Sequence, residues 1–169
     1  MPQLRTHRLE LVAADVELAQ AALDDRARFA ALLDASVPSR WPPMLPAGYE
    51  QAMAERLKDP ELVGWLGWYV LRVKRQRLLL GMCWLSGLPD ASGRVFLSYS
   101  MVGGDDHRGY AAEAVGTIID WVFADPRTRA ISAETTVEEV NTVRLLERNG
   151  LSLMEPGPAP GRLRFELAR

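Results

Sequence analysis

Residues 95–123, VFLSYSMVGGDDHRGYAAEAVGTIIDWVF, change their hydrophobic period partway along. Side chains alternate along residues 95–102, which is the period of a β-strand, and two glycines at 103 and 104 stop the run. From Ala111 the apolar residues recur at helical spacing, and Asp125 and Pro126 are expected to end the helix. The first turn of a helix has backbone N–H groups without intrahelical partners, and Gly109 allows a ligand to approach them closely. The stretch therefore predicts a phosphate site.

This loop and helix start resemble the acyl-CoA signature of the GNAT family of N-acetyltransferases, whose core pattern is Gln/Arg-x-x-Gly-x-Gly/Ala. Residues 108–114, RGYAAEA, match the end of that signature in the form typical of the branch that acetylates ribosomal-protein N-termini. Asp106 stands where the family usually has Gln or Arg, so it adds a negative charge near the expected pyrophosphate. His107 and Arg108 are expected to supply the positive field. Residues 6–9, THRL, also resemble the Thr-x-Arg-Leu opening of the same branch.

The composition is that of one globular domain, residues 1–169, with 48% hydrophobic and 25% charged residues. A net charge of -2 argues against a nucleic-acid partner, which normally requires a basic balance. Cys83 is the single cysteine, so no internal disulfide is expected, and its apolar surroundings favour a buried structural thiol over a nucleophile. No apolar run is long enough to span a bilayer, and the N-terminus lacks the apolar region of a signal peptide. We therefore expect a soluble cytoplasmic protein without a membrane partner.

The rest of the chain alternates between strand and helix periods. Predicted strands cover residues 4–12, 65–73, 78–85, 130–135, 151–154 and 163–167, and predicted helices include 26–33 and 49–57. Asp15 is placed to cap the first helix, and Thr136-x-x-Glu139 is a capping box for the last one. Asn149 and Gly150 predict its left-handed end.

This element order is that of the GNAT fold, an α/β (α+β) architecture in which helices flank a mixed, mostly antiparallel central sheet. The resemblance implies that the sheet is split between the strand at 94–102 and the strand at 130–135, with acyl-CoA in the gap. Residues 141–151, NTVRLLERNGL, are also similar to the family's Ser-x-Arg-x-Leu-Glu-Lys-x-Gly-Phe. The residues then implied to bind acetyl-CoA (coenzyme A) are Met101, Val102, His107, Arg108, Gly109, Tyr110, Ala111, Ala112, Asn141 and Thr142.

Acyl transfer to an amine requires an unprotonated amine, a polarised carbonyl and a stabilised leaving thiolate. Phe96 and Leu146 occupy the positions where relatives place a carboxylate base and a tyrosine acid. Glu134 is then the candidate base, because it is the carboxylate beside the predicted gap, and Ser98, Tyr99 and Thr142 are candidates to orient it. The alternative for Glu134 is a charge on the solvated face of an end strand.

The acceptor side is expected near the proline-rich segment 37–43, with Trp41 and Trp84 as candidate substrate-binding residues. For Trp41 the alternative is an aromatic ring held against the core by prolines. Without a strong base, an α-amine with a pKa of roughly 8 is a better acceptor than a lysine side chain with a pKa of about 10.4. Protein N-termini and small-molecule amines both satisfy this condition.

These observations predict a bacterial-type, acetyl-CoA-dependent N-acetyltransferase that transfers the acetyl group directly to a primary amine without a metal. The alternative is a non-catalytic acyl-CoA-binding sensor or partner module of the same fold, which the substitutions at Asp106, Phe96 and Leu146 favour. A nucleotide-binding module is disfavoured, because no Gly-Lys-Ser/Thr follows Gly109. Assembly as a homodimer stays open.

Overall fold

The computed structural model describes residues 1–103, 108–155 and 157–169. Their strands are β1 (Gln3–Arg5), β2 (Leu9–Ala13), β3 (Gly67–Arg72), β4 (Leu78–Leu85), β5 (Arg94–Met101), β6 (Ala130–Thr136), β7 (Ser152–Met154) and β8 (Arg162–Ala168). The helices are α1 (Val16–Asp24), α2 (Arg26–Leu33), α3 (Tyr49–Arg56), α4 (Tyr110–Ala124) and α5 (Val140–Arg148), with a short 3₁₀ helix at Pro60–Leu62.

The strands form one sheet in the order β1-β2-β3-β4-β5-β6-β8-β7. Neighbouring strands are antiparallel except β5 and β6, which are parallel because the connection between them crosses back through α4. In the described part of the chain, β5 and β6 pair over three residues each, Arg94–Phe96 with Ala130–Ser132. Beyond these pairs, residues 97–101 of β5 and 133–136 of β6 do not pair with each other in the described part of the chain. This divergence, called the split below, confirms the predicted fold class and the place where the sheet opens.

Each face of the sheet carries its own apolar core, because successive strand residues point to opposite sides. On β3, Trp68 packs on the side of α4 and α5, whereas Tyr69 packs on the side of α1, α2 and α3. Ile118 of α4 is fully buried in the first core, and Phe29 of α2 is buried in the second. Among the described residues, no helix has the length and apolar character needed to cross a membrane.

Several local predictions are confirmed. The side chain of Asp15 accepts a hydrogen bond from the backbone N–H of Leu18 at 2.9 Å and so caps α1. Helix α4 ends at Asp125, and Gly150 follows α5 with φ of 85°. The predicted hairpin β3–β4 and its antiparallel partner β5 are also present.

Two local predictions were wrong. The opening strand is a hairpin of two strands, because Thr6 Oγ1 accepts a hydrogen bond from the Leu9 backbone N–H at 2.9 Å and closes a turn after β1. The capping box also differs, since Thr136 ends β6 and α5 begins only at Val140. Glu139 Oε2 accepts from the Thr136 backbone N–H at 3.1 Å, so the motif joins the strand to the helix start instead of lying inside the helix.

Candidate active site

The N-terminus of α4 has the backbone geometry expected of an anion site. Gly109 is its N-cap residue, with φ of 75°, and among the described residues a Cβ at this position would have only Arg8 Nη2 within 4 Å, at 3.7 Å. In the described part of the chain, the backbone N–H groups of Gly109, Tyr110 and Ala112 make no hydrogen bond. The helix dipole adds positive potential at this end. A phosphate group can therefore approach the backbone here.

Arg8 holds this helix end to the β1–β2 hairpin. Its Nε donates to Glu113 Oε2 at 2.6 Å, and its Nη1 donates to the Arg108 carbonyl at 2.7 Å. Its guanidinium also lies 4.7 Å from the centre of the Tyr110 ring. Thr6 Oγ1 donates to the other oxygen of Glu113. Burial would raise the pKa of Glu113, but these hydrogen bonds outweigh it and lower the pKa. These contacts of Arg8 and Thr6 with the start of α4, together called the brace, place a fixed cation beside Gly109.

A cavity of about 960 Å³ opens at the split. It is lined by side chains and backbone of β5, β6, α4, α5, the start of β8, Trp84 of β4 and the loop at 40–46. The lining includes Arg40, Met44, Leu45, Trp84, Leu97, Ser98, Tyr99, Met101, Glu134, Glu139, Thr142, Leu146 and Arg162. The volume is sufficient for a small organic ligand.

Glu134 lines this cavity, and both of its carboxylate oxygens are occupied by arginines. Arg164 donates to Oε1 from Nε at 3.1 Å and from Nη2 at 2.7 Å, and Arg162 Nη2 donates to Oε2 at 3.2 Å. The hydrogen bond from Arg164 is the main reason that the pKa of Glu134 is lowered. A lowered pKa keeps Glu134 ionised at neutral pH but makes it a weak proton acceptor.

The residues expected to orient Glu134 lie elsewhere on the cavity wall. Tyr99 Oη is 3.2 Å from Thr142 Oγ1, so β5 and α5 meet through two hydroxyl groups. Ser98 lines the same cavity. Within the described residues, neither Ser98, Tyr99 nor Thr142 hydrogen-bonds to Glu134, and the two arginines orient it instead.

The two tryptophans predicted on the acceptor side have different positions. Trp84 lines the cavity and its ring centre is 5.4 Å from that of Tyr49. Trp41 is 8% exposed and packs against Phe29 and Tyr69 at 5.7 and 5.9 Å, which matches the core alternative. Its neighbours in the loop at 40–46 line the cavity in its place.

The other predicted residues divide between the two ends of the split. Met101 lines the cavity, and the Val102 backbone N–H continues the pairing of β5 by donating to Leu80 at 2.8 Å. Ala111 is buried in the first turn of α4, whereas Asn141 is exposed at the start of α5 and does not line the cavity. Asp106 and His107 lie outside the described residues.

A cysteine nucleophile is disfavoured by the structure. Cys83 is buried, and burial raises the pKa of its thiol to about 12, so the thiol stays protonated at neutral pH. Within residues 1–103, 108–155 and 157–169, no group of three or more His, Cys, Asp or Glu side chains is arranged to hold a metal.

Sequence reasoning missed the arginines around the site. Arg162 and Arg164 alternate with apolar residues in β8, which signals that they share one face of the strand. Their pairing with Glu134 depends on the β6–β8 register, in which Glu134 lies opposite Arg164. Arg8 lies 105 positions from Glu113, and no local pattern connects the two residues.

Comparison with known proteins agrees with this architecture. A relative from Bacillus licheniformis, an uncharacterized N-acetyltransferase called p20, is 28% identical over 107 residues, which are 62% of this chain and 58% of that protein. The aligned part thus spans less than two thirds of the relative's length.

Solved structures show the same fold. The putative ribosomal-protein-serine acetyltransferase from Vibrio cholerae superposes with a TM-score of 0.67 at 20% identity, covering 99% of this chain and 98% of that one. The spermidine N-acetyltransferase SpeG from Vibrio cholerae gives a TM-score of 0.63 at 16% identity, covering 96% and 95%. The family model described as the acetyltransferase (GNAT) domain matches residues 15–152. The chain therefore belongs to the GNAT family of N-acetyltransferases, whose enzymes take the acetyl group from acetyl-CoA.

Proposed function

We propose that this protein transfers the acetyl group of acetyl-CoA directly to a primary amine. The observation that carries the proposal is the split, because it opens a cavity between β5 and β6 whose lining includes Val115, in the second turn of the helix that starts at the candidate phosphate site. An elongated ligand with a phosphate at one end and a reactive group at the other fits this combination. The backbone edge of β5 inside the cavity offers polar groups along its length.

Acetyl-CoA supplies an activated acetyl group as a thioester. Gly109, Tyr110 and Ala112 would hold its pyrophosphate through backbone N–H groups, with Arg8 and Arg108 adding positive charge. Met101, Val102 and Thr142 would line the path of its pantetheine arm, and His107, Ala111 and Asn141 stay predicted contacts. A backbone N–H of β5 is the candidate group to polarise the carbonyl.

We assign different roles in proton transfer to the side chains of the cavity. Glu134 is ionised and fixed by two arginines, so we assign it the attraction and orientation of the amine, with water as the route by which the proton leaves. Tyr99 Oη, held by Thr142, is the phenol of the described lining and can release a proton at the opposite wall. We assign to Ser98, which lines the same cavity, a hydrogen bond to the acceptor.

Weak proton abstraction favours acceptors of low basicity, because less free energy is required to form the neutral amine. The proteins with the same fold named above are described as acting on a ribosomal protein and on spermidine. The fold alone therefore supports protein N-termini and small-molecule amines equally, and the lining of the cavity must decide between them.

The direct test is release of free thiol from acetyl-CoA across a panel of amines and N-terminal peptides. We expect turnover with at least one amine, and we expect acetyl-CoA, but neither ATP nor NAD, to raise the melting temperature. Binding of acetyl-CoA without thiol release from any amine would support the non-catalytic module instead. That alternative is supported by Glu134, whose carboxylate oxygens are both bound by arginines. Equal shifts with ATP would contradict the cofactor assignment.

A further inference from the structure

Arg40 is an exposed cation on the wall of the cavity. Its guanidinium lies against the end of β5, with Nη2 3.0 Å from the position that a Cβ on Gly103 would take. Within the described residues, its side chain makes neither a hydrogen bond nor an ion pair. The planar fork of an arginine is suited to bind a carboxylate or a phosphate through a pair of hydrogen bonds.

The other charged groups of the described cavity wall already have hydrogen-bond partners. Glu134 is bound by Arg162 and Arg164, so this group carries a net positive charge. Glu139 Oε2 accepts hydrogen bonds from the Thr135 hydroxyl at 2.7 Å and from the Thr136 backbone N–H at 3.1 Å. The hydrogen bond from Thr135 is the largest cause of the lowered pKa of Glu139, and the hydrogen bond from the Thr136 backbone N–H lowers it further. Both carboxylates of the described wall thus have hydrogen-bond partners already, whereas the guanidinium of Arg40 has none within the described residues and can bind an anion.

The same wall has an apolar surface next to Arg40. Met44 is 89% exposed, and Leu45 and Trp84 line the cavity beside the proline-rich loop. These side chains form an apolar surface that a ligand in the cavity would contact.

We propose that the acceptor is a small primary amine that also carries a carboxylate, as an apolar α-amino acid does, and that Arg40 binds this carboxylate. This inference rests on the acetyltransferase function proposed above and names the substrate class of its acceptor side. The carboxylate pairs with the guanidinium, the apolar body packs on Met44, Leu45 and Trp84, and the amine is left in the split. A polyamine acceptor lacks the group that Arg40 binds.

The test compares L-phenylalanine with L-phenylalaninamide, which differ in the carboxylate and, through it, in the basicity of the amine, so each KM is compared between the wild type and the variants. Spermidine is included as a cationic amine. In the wild-type protein we expect the KM for phenylalanine to be at least tenfold lower than the KM for the amide. Arg40→Gln should raise the KM for phenylalanine about tenfold or more and leave the KM values for the amide and for acetyl-CoA unchanged. Arg40→Lys should retain part of the preference, because an ammonium group binds a carboxylate without the fork geometry.

Arg28→Gln is the matched control, because it also removes one positive charge but from an exposed pair with Glu17 on α2. It should leave both KM values unchanged. A phenylalanine-to-amide ratio that survives in Arg40→Gln, or a wild-type preference for the amide or spermidine, would overturn the inference while the acetyltransferase function stands. A rise in the KM for acetyl-CoA alone would overturn it by assigning Arg40 to the cofactor.

If no amine releases thiol although acetyl-CoA binds, the proposed function itself has failed. Isothermal titration of phenylalanine and of its amide into the coenzyme A complex then tests Arg40 independently of turnover. Binding of phenylalanine that is lost in Arg40→Gln supports the carboxylate site. Absence of binding to the wild-type complex overturns it.

Discussion

At the scale of single residues, Glu134 shows how a partner changes what a side chain can do. From its position at the edge of the gap it is a candidate base, but the guanidinium groups of Arg164 and Arg162 occupy its oxygens. The pKa of a general base is best placed near the working pH, and the hydrogen bond from Arg164 moves the pKa of Glu134 the other way. We therefore propose that its contribution is electrostatic.

Glu134→Gln tests this role. We expect kcat at neutral pH to fall about tenfold, which is less than the 10²–10⁴-fold loss typical of a removed general base. The acetyl-CoA affinity should be nearly unchanged, because the change does not touch the α4 N-terminus. Steady-state rates with isothermal titration measure both quantities.

Glu138→Gln provides the control for Glu134→Gln, because Glu138 is an exposed carboxylate four positions along the chain that does not line the cavity. It should retain wild-type rates. Wild-type rates in Glu134→Gln as well would return Glu134 to the solvated-face alternative.

At the scale of elements, the start of α4 depends on the β1–β2 hairpin. Arg8 and Thr6 reach from the hairpin to Glu113, one turn inside the helix. The helix start is therefore held in place by residues more than 100 positions away in sequence. This connection gives the Thr-x-Arg-Leu resemblance at the N-terminus a physical role beside the expected pyrophosphate.

Arg8→Gln should weaken acetyl-CoA binding several-fold and lower the free energy of unfolding by about 1 kcal/mol, because the ion pair with Glu113 is only partly buried. Isothermal titration and urea denaturation measure the two effects. Arg28→Gln, which breaks an exposed pair elsewhere, should leave the affinity unchanged. An unaltered affinity in Arg8→Gln would show that the brace is not coupled to the cofactor site.

Elements with a strong local signal were predicted well from the sequence. Helix α4 has six buried residues at helical spacing and a glycine before it, and the strand β5 alternates, so both were identified within about two residues. The predictions failed for two different reasons. The pairing of Glu134 with Arg164 depends on strand register, which the periodicity of one segment does not contain. The turn at Thr6 is local, closed by the hydrogen bond from the Leu9 backbone N–H to Thr6 Oγ1, but it lies inside a run that was interpreted as one continuous strand.

At the scale of the whole molecule, a buried ion pair connects the N-terminal hairpin to the centre of the sheet. Glu10 of β2 is 4% exposed and receives two hydrogen bonds from Arg77, at 3.0 and 3.1 Å. Arg77 also donates from Nε to the Leu33 carbonyl at the end of α2. The hydrogen bond from Arg77 lowers the pKa of Glu10 below its usual 4.5, even though burial opposes this shift.

Because the pKa of Glu10 is lowered on folding, the pair stabilises the fold fully above the unfolded pKa, and this stabilisation is lost as the pH falls through the folded pKa. Arg77→Met leaves the buried carboxylate without its main partner and should cost about 3 kcal/mol at pH 7. Urea denaturation at pH 7 and pH 4 measures the effect. The difference from the wild type should shrink at pH 4, because Glu10 in the variant is then protonated. A difference that stays constant with pH would contradict the assignment to Glu10.

The central claim is that the N-terminus of α4 binds acetyl-CoA, and one comparison tests it most directly. Gly109 and Gly48 are both N-cap residues of helices, with φ of 75° and 72°. Of the residues that the structure describes, a Cβ added to Gly109 would meet only Arg8 Nη2, at 3.7 Å, and a Cβ added to Gly48 would have none within 4 Å. Valine in either place is strained by about 1–2 kcal/mol, so the two variants share the backbone cost.

Isothermal titration of acetyl-CoA into the Gly109→Val and Gly48→Val variants, with circular dichroism to confirm folding, separates the binding site from the strain. We predict that folded Gly109→Val shows no measurable binding, because a branched side chain projects into the space that the pyrophosphate needs, and that Gly48→Val binds as the wild type does. Wild-type affinity in a folded Gly109→Val protein would contradict the account.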